Sequence, residues 1–475
     1  MQRKSGVLMH ISSLYGDYSC GSFGKPAKHF IDVIAQCGLS YWQTLPFCMT
    51  DEYNSPYKSH STFAGNLNFI DLEVLFEKSL LTKEELEENK QSYPYLCEFS
   101  KLKENRLSLL KKASKRVKDK NEIRSFIENN EYLYNFCKFM AIKENNGGRI
   151  WHEWENENFQ EETFFAWEFI QYEFFCQWNN IKQYANSKGI KLIGDVPIYV
   201  SLDSADVWSN KKQFLLDKDA RPTKVAGVPP DYFSKNGQLW GNPLYNWNEM
   251  KKDGYKWWCD RLLHMQSMFD AVRIDHFRGI ESFWAIENGE KTAKNGKWMK
   301  GPGMSLINAL KKTVSKLEII AEDLGDITED VKKLVYDSGF PEMRVFQFAF
   351  LSDDDNPHLP HNYTDNCVAY SGTHDNNTLL GYLWELENDK RNKMLEYCGH
   401  TYDFKSGLDS IIRTIFASHA KLVILPIQDI LGFGSDTRLN TPGVADGNWG
   451  FRITKEQLDG VDIEKFKRLN SLYRR

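Results

Sequence analysis

The sequence predicts an α/β fold and, within that class, a closed (β/α)8 TIM barrel. One observation is a set of eight short, nearly continuous apolar runs, the pattern of strands buried on both faces of a parallel sheet. Another is that segments with helical spacing lie between these runs. The third is that three of the apolar runs lead into a carboxylate, at Asp275, Glu322 and Asp375. Because catalytic groups of a barrel lie at the C-terminal ends of its strands, these three side chains are expected to converge there.

The eight predicted strands alternate with predicted helices along the chain. Residues 303–316 and 328–338 are two of the helical patterns between them. Eight such units favour a closed barrel over an open, doubly wound sheet. In chain order, the predicted strands are residues 7–11, 41–45, 191–196, 271–275, 318–322, 343–348, 367–371 and 422–426.

The spacing of the strands predicts two insertions into one barrel that spans residues 1–475. Residues 75–150 are rich in helix formers and contain a capping box at Thr82 and Glu85, which predicts a helical insertion subdomain. Residues 200–260 predict a loop-rich insertion over the mouth of the active site. After residue 426 we expect only a long loop and a terminal helix over 454–475, so no separate C-terminal β-sandwich is predicted.

Composition excludes several classes of protein. The chain has 60 basic and 65 acidic residues and a formal net charge of −5, which argues against a nucleic-acid partner. No apolar run is long enough to cross a bilayer, and the N-terminus lacks the pattern of a signal peptide. The nine cysteines are scattered without a Cys-x-x-Cys pair. We therefore expect a cytoplasmic protein that has no membrane association, no disulfide framework and no zinc site.

The carboxylates suit cleavage of a glycosidic bond with retention, which needs an ionised and a protonated carboxyl group about 5–5.5 Å apart. Arg273 lies two positions before Asp275, so both side chains leave the same face of the strand, and the guanidinium is expected to keep Asp275 ionised. Glu322 has no basic neighbour in its own strand and is the candidate acid. Asp375 would bind sugar hydroxyls with the help of His374. Taken alone, Asp275 could instead form only a structural ion pair with Arg273.

Three segments resemble those of the 4-α-glucanotransferases, or amylomaltases, of glycoside hydrolase family 77 in the α-amylase clan. They are residues 272–279 (Val-Arg-Ile-Asp-His-Phe-Arg-Gly), 321–325 (Ala-Glu-Asp-Leu-Gly) and 372–376 (Gly-Thr-His-Asp-Asn). Where many members have Asn-Pro, this chain has Asn-Leu-Asn at 66–68. Further segments similar to the family are residues 54–59, 63–65, 194–198, 227–234, 238–243, 438–440, 442–443 and 448–449.

This resemblance implies Asp275 as nucleophile, Glu322 as general acid/base and Asp375 as stabiliser of the transition state. It implies α-1,4-glucans and maltooligosaccharides as substrates and glucose as an acceptor, with no cofactor, no metal and no obligatory protein partner. The substrate-binding residues that the resemblance implies are Tyr57, Asp195, Tyr232, Phe233, Trp240, Arg273, His374 and Asn448.

Two other functions remain open at the level of sequence. An ordinary α-glucan hydrolase would use the same three carboxylates and differ only in accepting water. A non-catalytic glucan-binding protein is expected to have lost one of the three. All three are present here.

Overall fold

An eight-stranded parallel sheet forms the centre of the molecule. The computed structural model describes residues 3–230, 235–352, 355–400 and 404–475. These residues form twelve strands: β1 (Lys4–Leu8), β2 (Tyr41–Gln43), β3 (Lys191–Val196), β4 (Lys224–Val228), β5 (Gln238–Pro243), β6 (Ala271–Ile274), β7 (Ser282–Glu287), β8 (Lys297–Lys300), β9 (Glu318–Ala321), β10 (Glu342–Val345), β11 (Cys367–Tyr370) and β12 (Leu422–Pro426).

The same residues form eighteen α-helices, most of which surround the sheet. They are α1 (Lys25–Gln36), α2 (Leu72–Glu77), α3 (Lys83–Glu88), α4 (Phe99–Lys115), α5 (Asn121–Glu128), α6 (Glu131–Asn145), α7 (Glu161–Ser187), α8 (Ala205–Ser209), α9 (Trp247–Lys252), α10 (Lys256–Met268), α11 (Met304–Thr313), α12 (Glu329–Ser338), α13 (Leu379–Glu385), α14 (Asn388–Tyr397), α15 (Phe404–Ala417), α16 (Ile427–Leu431), α17 (Lys455–Asp459) and α18 (Ile463–Tyr473).

The order of the strands confirms the predicted α/β barrel. The sheet runs β10-β11-β12-β1-β2-β3-β6-β9, so its eight strands follow one another in chain order. Every neighbouring pair in it is parallel. The two end strands approach each other where the N–H of Ala321 donates to the carbonyl of Pro341 at 2.9 Å. Strand β6 and strand β12 are buried at every position, as expected for strands covered on both faces.

The eight predicted strands are all present, with differences at their ends. The first strand begins at Lys4 and ends at Leu8, where the sequence predicts 7–11. The apolar residues Met9 and Ile11 are buried in the core beyond the strand, because burial of an apolar run does not require it to be extended. Asp275 and Glu322 are the first residues after β6 and β9.

A second sheet lies in the region for which the sequence predicts mainly loop. Residues 200–260 contain α8, β4, β5 and α9, and β4 and β5 join β7 and β8 in an antiparallel sheet of order β5-β4-β7-β8. Ala226, Phe283 and Ala285 of this sheet belong to the main core. The sequence does not indicate these two strands, because short segments that contain Gly or Pro carry little local strand signal. Pairing of β4 with β7 on one side and β5 on the other stabilises them.

Helices α2 to α6 lie between β2 and β3, and the predicted capping box of Thr82 and Glu85 opens α3. The division of the chain into a 75–150 subdomain and a 200–260 insertion stays a prediction. The predicted single helix over 454–475 is wrong, because α17 ends before Gly460 and Asp462 caps α18. After β12 the chain forms helices and one isolated bridge at Phe451, and no β-sandwich.

Across the described ranges, no helix combines the length and the apolar character that crossing a bilayer requires.

Candidate active site

The register of two neighbouring strands creates a buried ion pair at the C-terminal end of the barrel. Asp195 of β3 lies directly opposite Arg273 of β6. Nε of Arg273 donates to Oδ1 of Asp195 at 2.9 Å, and Nη2 donates to Oδ2 at 2.7 Å. Only 4% of the Arg273 side chain and 0% of the Asp195 side chain are exposed. This bidentate geometry fixes the plane of the guanidinium.

Asp275 lies beside this pair and is more open to solvent. Its backbone N–H continues the strand pairing by donating to the carbonyl of Val196 at 3.0 Å. Nη2 of Arg273 donates to its Oδ1 at 3.0 Å, which confirms that the two side chains share one face of the strand. The Asp275 side chain is 30% exposed. A partly open carboxylate held by a buried cation is suited to attack an anomeric carbon.

Arg273 does not hold the pKa of Asp275 low, so that expectation is wrong. Burial raises the pKa of Asp275 well above its ordinary value, and the charges of Asp195, Glu322 and Asp375 raise it further against the opposing effect of Arg273. The physical reason is that the effect of burial outweighs that of the guanidinium, which Asp195 also binds through two hydrogen bonds. Arg273 therefore limits the rise in pKa and does not reverse it.

Backbone N–H groups hold Glu322. The N–H of His276 donates to Oε2 at 2.6 Å, and the N–H of Leu324 donates to Oε1 at 2.9 Å. Burial raises the pKa of Glu322, while the charge of Arg273 and these two N–H groups lower it. A raised pKa favours the protonated form of the carboxyl group, the form that a general acid needs.

Asp375 lies in the loop after β11 and is anchored by a different loop. Nδ2 of Asn440 donates to its Oδ1 at 2.6 Å, and Nη2 of Arg438 donates to its backbone carbonyl at 2.7 Å. Its side chain is 46% exposed, and Nε2 of His374 lies 3.3 Å from Oδ1. The sequence gives no role to Asn440 or Arg438, because their contact with Asp375 depends on how the loop after β12 folds back over the barrel.

Tyr57 joins His374 to the Asp195–Arg273 pair. Its hydroxyl lies 2.6 Å from Oδ2 of Asp195, 2.9 Å from Nε2 of His374 and 3.2 Å from Nη2 of Arg273. Because a carboxylate only accepts and a phenol has one proton, that proton goes to Asp195. His374 therefore donates from Nε2. Burial lowers the pKa of His374, so the imidazole is neutral, and its ring stacks on Tyr57 at 5.3 Å.

The remaining predicted substrate-binding residues have different positions. Trp240 of β5 lies edge-on to His276, with 4.9 Å between ring centroids, at the edge of the site. The Asn448 side chain bonds within its own loop, to Thr441 and Val444. Its neighbour Trp449, which the sequence does not single out, lies 6.1 Å from Tyr57 between ring centroids. Tyr232 and Phe233 lie outside the described residues.

Comparisons with known proteins identify the family of the chain. The family described as 4-alpha-glucanotransferase, glycoside hydrolase family 77, matches residues 9–458. The 4-alpha-glucanotransferase of Clostridium butyricum is 43% identical over 492 residues, covering 98% of this chain and 100% of that protein. That of Streptococcus pneumoniae is 42% identical over 494 residues, covering 100% of this chain and 98% of that protein.

A solved structure, an amylomaltase from Streptococcus agalactiae in complex with acarbose, superposes with a TM-score of 0.95 at 36% identity. The match covers 100% of this chain and 99% of that one. By sequence and by structure, the chain belongs to the 4-alpha-glucanotransferase family.

Proposed function

We propose that the three carboxylates carry out a retaining transfer of α-1,4-glucan segments through a covalent intermediate on Asp275. The observation that carries this proposal is the difference between two neighbouring carboxyl groups. Asp275 is partly open and bonded to a guanidinium, whereas Glu322 is bonded to backbone N–H groups. Burial raises the pKa of both carboxyl groups, so the pair holds a proton. Because a guanidinium donates a hydrogen bond to the partly open Asp275, we place that proton on Glu322.

In the first step, Asp275 attacks the anomeric carbon while Glu322 delivers its proton to the leaving glycosidic oxygen. The bond from the sugar to that oxygen breaks as the bond to the Asp275 carboxylate forms, and the downstream sugar leaves as an alcohol. In the second step, Glu322 removes the proton from the 4-OH of an acceptor sugar, which displaces Asp275. The net result is exchange of one α-1,4 bond for another.

Asp375, His374 and Arg273 would bind the reacting sugar. Asn440 bonds to Oδ1 of Asp375, and we propose that Oδ2 binds sugar hydroxyls. Because its pKa is lowered by burial, His374 is neutral and adds no charge beside Asp375. We propose Tyr57, Asp195, Trp240 and the loop that carries Asn448 as further parts of the substrate site, and Tyr232 and Phe233 from the sequence alone.

We propose glucose and maltooligosaccharides as acceptors and no obligatory protein partner. We also propose a cytoplasmic location, which is supported by nine free thiols, five of them buried.

Incubation with pure maltotriose tests transfer against hydrolysis, the second candidate function. Transfer produces glucose together with a ladder of longer maltooligosaccharides and leaves the total number of reducing ends constant. Hydrolysis yields only glucose and maltose, and reducing ends accumulate. We expect the ladder, and we expect labelled glucose to enter the products. A steady gain of reducing ends with no product longer than maltotriose would replace the proposal with a hydrolase, and the Asp275→Asn variant supplies the inactive control.

A further inference from the structure

The residue that follows the proposed nucleophile has an unusual backbone conformation. His276 has φ 51° and ψ 49°, in the left-handed region that residues other than glycine seldom occupy. Asn, Asp and His tolerate this region better than most residues, whereas β-branched residues are the least compatible with it. This conformation turns the chain after His276 out of the line of β6, and in the resulting turn the N–H of His276 donates to Oε2 of Glu322 at 2.6 Å.

The turn after β6 binds Glu322 at several atoms. The N–H of Phe277 donates to the backbone carbonyl of Glu322 at 3.0 Å, and the N–H of Glu322 donates to the carbonyl of Ile274 at 3.1 Å. The N–H of Leu324 occupies Oε1. The carboxyl group of Glu322 is thus held by one N–H at each oxygen, and the His276 N–H is the one that binds Oε2.

The imidazole of His276 has a separate role from its N–H. Its ring lies edge-on to Trp240 at an interplanar angle of 83°. Burial lowers the pKa of His276 to about 3, so the ring is uncharged at any pH at which the enzyme is assayed. The side chain therefore adds no charge to the carboxylates, and the influence of this residue on Glu322 passes through the backbone.

We propose that His276 is a positioning residue, whose left-handed backbone maintains the turn in which its N–H donates to Glu322 and so orients the acid/base carboxyl group. This inference rests on the role proposed for Glu322. The turn after β6 therefore carries the nucleophile Asp275 and binds the acid Glu322. One local conformation fixes the positions of both carboxyl groups for both steps of transfer.

Three variants separate the backbone from the imidazole. His276→Gly, His276→Asn and His276→Val all remove the imidazole, but Gly and Asn accept the left-handed conformation and Val opposes it. A loss shared by all three reports the ring and its contact with Trp240. A loss confined to the Val variant reports the N–H. If the Val variant does not fold, His276→Ala imposes less strain and carries the same prediction with a smaller effect.

The pH profile is the first measurement. A hydrogen bond to the ionised form of a carboxyl group lowers its pKa, so losing the His276 N–H raises the pKa of Glu322. The alkaline limb of kcat/KM on maltotriose is expected to move to higher pH in the Val variant and to stay in place in the Gly and Asn variants. Other charged groups near Glu322 are identical in all the variants: Asp195 on β3, Arg273 and Asp275 at the end of β6, Asp323 next to it and Asp375 after β11.

The second measurement uses a donor that needs no acid. First-turnover release of fluoride from α-maltotriosyl fluoride depends on Asp275, because fluoride leaves without a proton. The Val variant is expected to lose about 10- to 100-fold more activity on maltotriose than on the fluoride, the effect of one hydrogen bond to a charged group. The Gly and Asn variants are expected to lose equally on both donors.

The outcomes distinguish this inference from the proposal on which it rests. The positioning role would be overturned if the alkaline limb of kcat/KM lay at the same pH in the Gly and Val variants and if both had the same ratio of activity on maltotriose to activity on the fluoride. If Glu322→Gln lost as much on the fluoride as on maltotriose, the acid/base role of Glu322 itself would fail.

Discussion

Arg273 donates to three side chains at once: Asp195, Asp275 and the hydroxyl of Tyr57. Its guanidinium is almost completely buried, so the Asp195 pair stabilises a cation that would otherwise be expensive to bury. The same guanidinium lowers the pKa of Asp275. The fraction of Asp275 that is ionised therefore depends on a cation that it shares with Asp195.

Replacing Arg273 with Leu is expected to move the acidic limb of kcat/KM to higher pH and to lower the rate. The guanidinium lowers the pKa of Asp275, so its removal lets that pKa rise further. Asp275 attacks only when ionised, so the protonated, inactive form then persists to higher pH. The limb reports the interacting pair and not one residue. Arg116→Leu is the control. It removes an arginine that lies directly after α4 and binds Glu85. If the acidic limb does not move in Arg273→Leu, Arg273 does not control the pKa of Asp275.

Removing any one carboxylate of the trio is expected to lower the rate by several orders of magnitude with the fold intact. Because Asp275, Glu322 and Asp375 serve one transition state, the losses in double variants should not add. Glu322→Gln should accumulate a glycosyl adduct from α-maltotriosyl fluoride, and Asp275→Asn should not. Mass spectrometry of peptides identifies the modified residue. An adduct on a residue other than Asp275 would contradict the assignment, and the exposed Asp326→Asn is the control.

At the scale of elements, β3 shows how packing beneath a strand positions the chemistry at its end. Gly194 lies in β3 directly before Asp195, and a Cβ there would lie 2.5 Å from the ring of Phe269. Phe269 follows α10 and is 3% exposed, so it has little room to move. This close approach of strand and ring requires glycine at position 194. It holds β3 in the position from which the next residue, Asp195, bonds to Arg273.

Gly194→Ala is therefore expected to lower stability by about 1–3 kcal/mol, the usual cost of overpacking a core, and to lower kcat/KM by displacing Asp195. Gly450→Ala is the matched control, because its Cβ would meet only Leu96 at an ordinary contact of 3.7 Å. Thermal unfolding and maltotriose kinetics on both variants provide the comparison. Equal melting temperatures for the two would show that β3 can shift away from Phe269 at no cost.

Across the whole molecule, the site depends on the barrel bringing distant loops to one end. Strands β3, β6, β9 and β11 place their C-terminal ends there. The antiparallel sheet of β5, β4, β7 and β8 brings Trp240 to the edge of the site. One connected core joins β1 to α18. Large cores of this kind also bury ionisable groups, and Asp206 in α8 is one of them, at 3% exposure.

Burial raises the pKa of Asp206 to about 7. In the folded state it keeps its proton up to that pH, whereas in the unfolded chain it loses it near the ordinary value of about 4. Between these values the folded state binds more protons, so this group's contribution to stability falls as pH rises from about 4 to about 7. A shift of about three units corresponds to about 4 kcal/mol.

Asp206→Asn should consequently gain stability relative to the parent between pH 5 and pH 8, because the amide keeps its acceptor for the N–H of Thr62 and cannot ionise. The melting temperatures of both proteins at the two pH values measure this gain, and the exposed Asp219→Asn should show none. A constant difference between parent and Asp206→Asn across this range would mean that Asp206 is ionised in the fold without penalty.

The sequence by itself determines the barrel and the three carboxylates. Apolar runs of strand length and the two-residue alternation of a strand are local properties, so the eight strands and the shared face of Arg273 and Asp275 can be read from neighbouring residues. The family segments add Tyr57, which contacts the ion pair, and His374, which contacts Tyr57.

Only the tertiary structure decides how charge and orientation are distributed in the site. Asp195 pairs with Arg273 across 78 positions and Asn440 with Asp375 across 65, and neither pairing leaves a local pattern in the chain. The pKa of Asp275 follows from those long-range contacts and from burial, which is why the expectation from Arg273 alone is wrong. The N–H of His276 reaches Glu322 because strand order makes β6 and β9 neighbours, and strand order is a property of the closed barrel.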